Sequence, residues 1–146
     1  MEFISIYQLK KLSTQISRNL KSGDSIYLYG EIGTGKTSFA RFLINILQNK
    51  SKKKIEEITS PTYNIVQYYK ITNKTHIHHY DLYRIKKKKD LNNIGIYNDS
   101  IDCIKIIEWP ELIRVKEKNR IEIYLKHTKK INIRKINVKY FGRFKN

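Results

Sequence analysis

One stretch carries the clearest chemistry. Gly30-Glu31-Ile32-Gly33-Thr34-Gly35-Lys36-Thr37 fits the pattern G-x-x-x-x-G-K-[ST], and Ser38 follows it. Glycines let the backbone turn tightly enough for successive N–H groups to point at phosphate oxygens. A helix opening at the lysine adds a partial positive charge. Lys36 would reach the β- and γ-phosphates and the Thr37 hydroxyl would bind Mg²⁺. The expected ligand of Gly30–Ser38 is therefore a nucleoside triphosphate with Mg²⁺. The pattern is silent on how the energy is used.

Such a site usually needs a carboxylate at the end of a neighbouring apolar strand. Glu108 closes the run Ile104-Lys105-Ile106-Ile107 and is placed to be that group; an exposed strand-end carboxylate is the alternative. Trp109, the single tryptophan, is either core packing or an anchor for a lid or partner. Asp81, in His79-Tyr80-Asp81-Leu82-Tyr83-Arg84, is expected to end a strand and to hold a water, or the metal through water. Ser60-Pro61-Thr62-Tyr63 supplies two hydroxyls on a proline-stiffened loop, which suits a segment sensing the γ-phosphate. His76 and His78 share a strand face, but without a third ligand the three histidines 76, 78 and 79 read as strand residues rather than a metal site. Cys103 begins an apolar strand and reads as inert packing.

These groups need elements to position them. Ser5 and Gln8 form a capping-box pattern, and Leu9, Leu12, Ile16 and Leu20 fall at helical spacing, so a helix is expected over about 6–21, with Phe3–Ile6 as a lead-in strand. Ile26–Tyr29 is a short strand; Lys36–Gln48 is a helix with Phe39, Leu43 and Leu47 on one face. Tyr63–Lys70 and His76–Leu82 read as a hairpin turning at Thr72-Asn73-Lys74. A short helix over about 87–94, a buried strand Ile101–Ile107 and a short helix after Pro110 follow. Ile121–Leu125 and Ile131–Val138 alternate with period two, as a final antiparallel pair. The fold class is α/β with a mixed sheet, in a single domain over residues 1–146.

Composition bounds the rest. The chain has 146 residues and one cysteine, so an internal disulfide framework and a cysteine-based zinc site are excluded. No apolar run approaches the ~18 residues a membrane span needs, and the N-terminus lacks a signal-peptide pattern, so a cytoplasmic protein without membrane contact is expected. Net charge is +17. Either a polyanion partner or codon usage explains it, since 25 Ile, 23 Lys, 12 Asn and 11 Tyr stand against one Ala, as in an A+T-rich coding sequence. The runs Lys52–Lys54 and Lys86–Lys89 read as solvated surface.

Four landmarks occur in one order: Gly30–Thr37, Ser60-Pro61-Thr62-Tyr63, His79-Tyr80-Asp81-Leu82-Tyr83-Arg84, and Ile107-Glu108-Trp109-Pro110. In this the chain resembles the TsaE (YjeE) family of small bacterial ATPases, which serve in making threonylcarbamoyladenosine beside the tRNA anticodon. The resemblance implies a P-loop NTPase-like fold, ATP and Mg²⁺, with Thr37 and Glu108 on the metal side. It implies a weak ATPase acting on a TsaB–TsaD heterodimer and resetting it between turnovers, so that tRNA is met indirectly through that complex. Asp81 maps onto the family's acidic residue near the metal, Ser60 to Thr62 onto its switch-like loop, and Trp109 onto its tryptophan. Ile32 and Thr34 stand where Leu and Ala are common, and His79-Tyr80 where His-Phe is usual.

Lys36, Asp81 and Glu108 are the expected catalytic residues, with Asp81 before Glu108 as the group orienting the attacking water. Arg84 in cis, or a partner, would supply a transition-state cation. Two other classes are compatible with parts of the sequence. A small-molecule kinase would need an acceptor pocket and usually a lid, and no arginine-rich lid segment is present. An RNA-binding module could use Tyr124, Tyr140, Phe141 and Phe144 among the lysines to stack bases.

Overall fold

Apolar β-formers bounded by turn residues create the strands that carry the site. The computed structural model describes residues 1–51, 58, 60–61, 64–97 and 103–146. In chain order these form β1 (Glu2–Ser5), α1 (Ile6–Ser17), β2 (Ser25–Tyr29), α2 (Lys36–Lys50), β3 (Val66–Lys70), β4 (His76–Asp81), α3 (Lys89–Asn93) and β5 (Cys103–Glu108). A single 3-10 turn (Pro110–Leu112), β6 (Arg120–His127), β7 (Ile133–Phe141) and a second 3-10 turn (Gly142–Phe144) complete the chain.

The seven strands make one sheet in the order β1-β7-β6-β2-β5-β4-β3. The inner four, β6-β2-β5-β4, are mutually parallel; β3 and the β7–β1 pair add antiparallel edges. Parallel strands are covered on both faces and so read as continuous apolar runs. β5 is buried at all six positions. One face packs Ile26, Leu28, Ile104 and Ile106 against Phe39, Leu43 and Ile44 of α2 and Leu9 and Ile16 of α1. The other packs Tyr27, Tyr80 and Ile107 against Leu91, Ile96 and Ile113.

The capping box at the start of α1 is present: Gln8 N–H donates to Ser5 Oγ at 3.2 Å and Ser5 N–H to Gln8 Oε1 at 2.8 Å. The helix stops at Ser17 rather than near residue 21. Leu20 continues the apolar spacing, but Lys21 N–H is drawn onto Asp24 Oδ2 at 2.8 Å, and Arg143 clamps the same carboxylate from the far end of the chain. β7 runs three residues beyond the expected Val138 because β6 pairs with it as far as Phe141. Ile101 and Tyr63, expected strand starts, and the lysines 52–54 lie outside the described residues.

Glu122 on β6 is buried and accepts hydrogen bonds from Lys116, Arg120 and Tyr124 at 2.9, 2.8 and 2.6 Å. Burial pushes its carboxyl up, but the three donors outweigh this and lower it from 4.5 to about 2. A depressed acid stabilises the fold above its unfolded value and loses that contribution as pH falls through the folded one. Wild-type stability should therefore drop between pH 4.5 and about 2, by roughly 3 kcal/mol more than that of Glu122→Gln. Urea unfolding across that range reads it; parallel pH profiles would remove the assignment.

Candidate nucleotide site

The parallel strands β2, β4 and β5 end on the same edge of the sheet, where α/β folds place their ligands. β2 runs into Gly30–Gly35, β4 ends at Asp81 and β5 at Glu108, and the register sets Asp81 directly beside Glu108 and Leu28 beside Glu108 from the other side. A cavity of about 630 Å³ opens there. It is lined by Ile32–Ser38 of the loop, by Ser60, Asp81, Glu108 and Trp109, and by the apolar side chains of Ile4, Ile6, Leu9 and Ile131.

The loop is built as the glycine pattern demands. Gly30 has φ +150°, and a Cβ there would sit 2.5 Å from the Leu125 carbonyl oxygen and 2.6 Å from Thr34 Oγ1. Gly35, at φ +110°, is the residue before α2, and no side chain caps the helix. No acidic residue occupies the first turn either, so the N–H groups and positive dipole of α2 face the cavity uncompensated. Gly30 and Glu31 do not line the cavity; their carbonyls receive Lys36 Nζ at 2.5 and 2.8 Å.

Lys36 is buried, with its ammonium 4.1 Å from the centre of the Trp109 ring. Desolvation lowers its pKa, while the Glu108 and Asp81 carboxylates pull it back up. Trp109 adopts φ +57°, a left-handed conformation rare for a bulky residue. Its N–H donates to the Leu28 carbonyl at 3.2 Å and its ring tilts against Tyr83 at 4.9 Å. This strained turn directly after Glu108 brings the indole over the lysine while the partly buried ring also packs against the second apolar cluster.

Glu108 is 1% exposed, which removes the reading of an exposed strand-end carboxylate. Thr37 Oγ1 donates to its Oε1 at 2.7 Å and His79 Nε2 to its Oε2 at 2.7 Å. An ionised carboxylate only accepts, so His79 carries its proton on Nε2. The histidine of interest is thus His79, holding Glu108, while His76 lies at the opposite end of β4. Among the described residues no group of three His, Cys, Asp or Glu converges to hold a metal. Thr37 and Glu108 are oxygen donors of the kind that would suit a Mg²⁺ ion, whose remaining oxygens would come from phosphate and water.

Asp81 is buried; Tyr83 N–H donates to its Oδ1 at 3.0 Å and Ser60 Oγ approaches Oδ2 at 3.5 Å. Ser60 therefore joins the site, while Thr62 lies outside the described residues. Arg84 is exposed and does not line the cavity. Cys103 is buried at the far end of β5, as packing.

Two site residues were missed in the sequence. His127 Nε2 bonds the Ile32 carbonyl at 2.8 Å, and Arg134 donates to the Thr34 and Gly33 carbonyls at 3.2 Å each. They face each other across β6 and β7 and brace the loop tip. No local pattern could reveal them, since each is an ordinary residue of an alternating strand, about a hundred positions from its partner. Arg134→Ala should weaken nucleotide binding by about tenfold, each lost hydrogen bond being worth ~1 kcal/mol. Titration with a fluorescent ATP analogue reads it; unchanged affinity would mean that the loop holds its own shape.

The family model described as "Threonylcarbamoyl adenosine biosynthesis protein TsaE" matches residues 4–136. The chain is 36% identical over 107 residues to the tRNA threonylcarbamoyladenosine biosynthesis protein TsaE of Rickettsia conorii, covering 73% of this chain and 58% of that relative's length. It is 34% identical over 125 residues to the protein of that name from Borreliella burgdorferi, covering 83% of this chain and 85% of the relative. A crystal structure of YdiB from Bacillus subtilis superposes with TM-score 0.70 at 21% identity, over 97% of this chain and 84% of that one. That likeness bears out the P-loop NTPase-like fold. No helix among the described residues is long and apolar enough to cross a membrane.

Proposed function

The chain belongs to the TsaE family, and from that membership we propose that it binds and slowly hydrolyses ATP, and so drives threonylcarbamoyladenosine modification of tRNA through a TsaB–TsaD partner pair. The observation that carries the nucleotide chemistry is the buried hydrogen-bonded chain His79–Glu108–Thr37, lying beside Lys36 where the loop meets α2.

Thr37 and Glu108 would hold Mg²⁺, which supplies positive charge against the phosphate oxygens and the leaving group. The loop N–H groups and the first turn of α2 bind the phosphates. Lys36 exchanges the Gly30 and Glu31 carbonyls for phosphate oxygens and neutralises charge as it develops. The apolar lining, Ile4, Ile6, Leu9 and Ile131, takes the base. Asp81, held by Tyr83 N–H, accepts a hydrogen bond from the attacking water and orients it in line. The water oxygen bonds to the γ-phosphorus, the bond to the β-phosphate oxygen breaks, and ADP and phosphate leave.

Arg84 does not line this cavity, which leaves a partner to complete the transition-state charge. Hydrolysis by the isolated chain should accordingly be slow and should rise at least about tenfold with the TsaB–TsaD pair, a modest part of what a supplied arginine can give. Steady-state phosphate release with and without the pair tests this. Robust turnover indifferent to the pair would keep the nucleotide site and remove the partner.

A further inference from the structure

We propose that the open face of the β6–β7–β1 half-sheet is a docking platform for single-stranded RNA, an inference independent of the ATPase reading. Ile121, Ile123 and Leu125 of β6 point into the core under α1 and α2. Strand alternation therefore sends Arg120, Glu122, Tyr124 and Lys126 to the opposite face. Register places Phe141, Lys139, Asn137 and Lys135 of β7 beside them, and Phe3 of β1 beside Lys135. The apolar cluster that covers this face of the sheet elsewhere draws its strand residues from β2, β4 and β5 and stops short of β7 and β1.

Charge on this face is one-sided. Lys116, Arg120, Lys126, Lys135 and Lys139 converge on it; among the described residues its strands carry one carboxylate, Glu122, which Lys116 and Arg120 hold, and Glu111 acts on Tyr29 at its border. From Arg120 to the end the chain carries nine Lys and Arg and a single acid. Lys126 stands directly opposite Lys135, a like-charge pair that costs stability unless an anion lies between. Codon usage raises lysine throughout a chain; it does not clear the strands of one face of unpaired carboxylates among the described residues or sort rings onto them.

The rings decide the kind of polyanion. Tyr29 and Tyr124 stack at 4.4 Å and 7°, with Lys139 5.0 Å from the Tyr124 ring. Phe3 is 64% exposed under Lys135, and Arg120 lies 3.8 Å over Phe141. Rings with cations at their faces are how single-strand readers stack bases while pairing phosphates. An acidic protein would use the cations and leave the rings idle. Of the aromatics singled out in the sequence, Tyr124 and Phe141 belong to the platform. Tyr140 and Phe144 turn to the other face, against Leu12 and Ile16 of α1.

The test is fluorescence anisotropy of a labelled single-stranded RNA of about a dozen nucleotides, within the usual footprint, titrated with the whole chain at several salt concentrations. Lys126→Gln/Lys135→Gln/Lys139→Gln should weaken binding at least about tenfold and flatten the log–log salt slope by about 2. Tyr124→Leu should weaken it about tenfold with the slope unchanged. Lys87→Gln/Lys88→Gln/Lys89→Gln removes equal charge from an exposed segment elsewhere and should change little. Thermal melts establish that each variant is folded. Equal losses from both triple variants, no loss from Tyr124→Leu, or tighter binding to anionic vesicles or polyglutamate than to RNA would each overturn the proposal.

Discussion

Lys36→Ala should bind ATP too weakly to saturate and should lose about a thousandfold or more in turnover. The Lys36 ammonium stands in the cavity wall at the start of α2, already poised. It rests on the Gly30 and Glu31 carbonyls with Trp109 beside it, a short swing from where the loop presents its N–H groups. Phosphoryl transfer depends on positioned charge rather than covalent help, so removing that charge removes the main electrostatic contribution of the chain. Lys36→Arg should fail nearly as badly, because a planar fork does not fit a slot in which the native side chain is 4% exposed. Stability should barely move. Desolvation already works against the buried ammonium, and its loss offsets the loss of two hydrogen bonds. Lys36→Met, which keeps the stem, should therefore melt within a few degrees of wild type while binding no nucleotide. Calorimetric titration and a thermal melt read the two effects separately, and near-normal hydrolysis in Lys36→Ala would dismantle the site.

Glu108→Gln should lower Mg²⁺-supported turnover about a hundredfold or more while leaving ATP binding without metal within about threefold. The carboxylate accepts from Thr37 on one oxygen and from His79 on the other. An amide has one oxygen, so one donor meets an NH₂. If His79 yields, its proton must move to Nδ1, which is buried with no partner among the described residues. If Thr37 yields, its hydroxyl turns to accept and its lone pair is spent away from the metal. Either outcome adds to the lost negative charge. Turnover against Mg²⁺ concentration, with ATP binding in chelator alongside, isolates the metal step. Equal losses with and without metal would assign Glu108 a purely structural role.

The loop, its glycines, the helix it opens and the strand before it were all legible because they are contiguous. Eight adjacent residues hold the pattern, and local propensity shapes the strand and the helix. The capping box of α1 was readable for the same reason. Its C-terminus was not: Leu20 satisfies the period, yet Asp24 and Arg143 capture the turn through contacts that local spacing cannot express.

The sequence by itself therefore determined which chemistry is present: a phosphate cradle, a lysine, a hydroxyl and two candidate carboxylates at the ends of strands. Tertiary structure alone decided how these groups are wired. Thr37 meets Glu108 across 71 positions, Glu108 meets His79 across 29, and Ile32 meets His127 across 95. Such contacts arise from the order and register of strands, which set β4 and β5 side by side and β6 with β7 behind the loop. Strand pairing is a global choice among many apolar runs of similar character, so a histidine that follows two others could be recognised as the holder of Glu108 only once its neighbour strand was known.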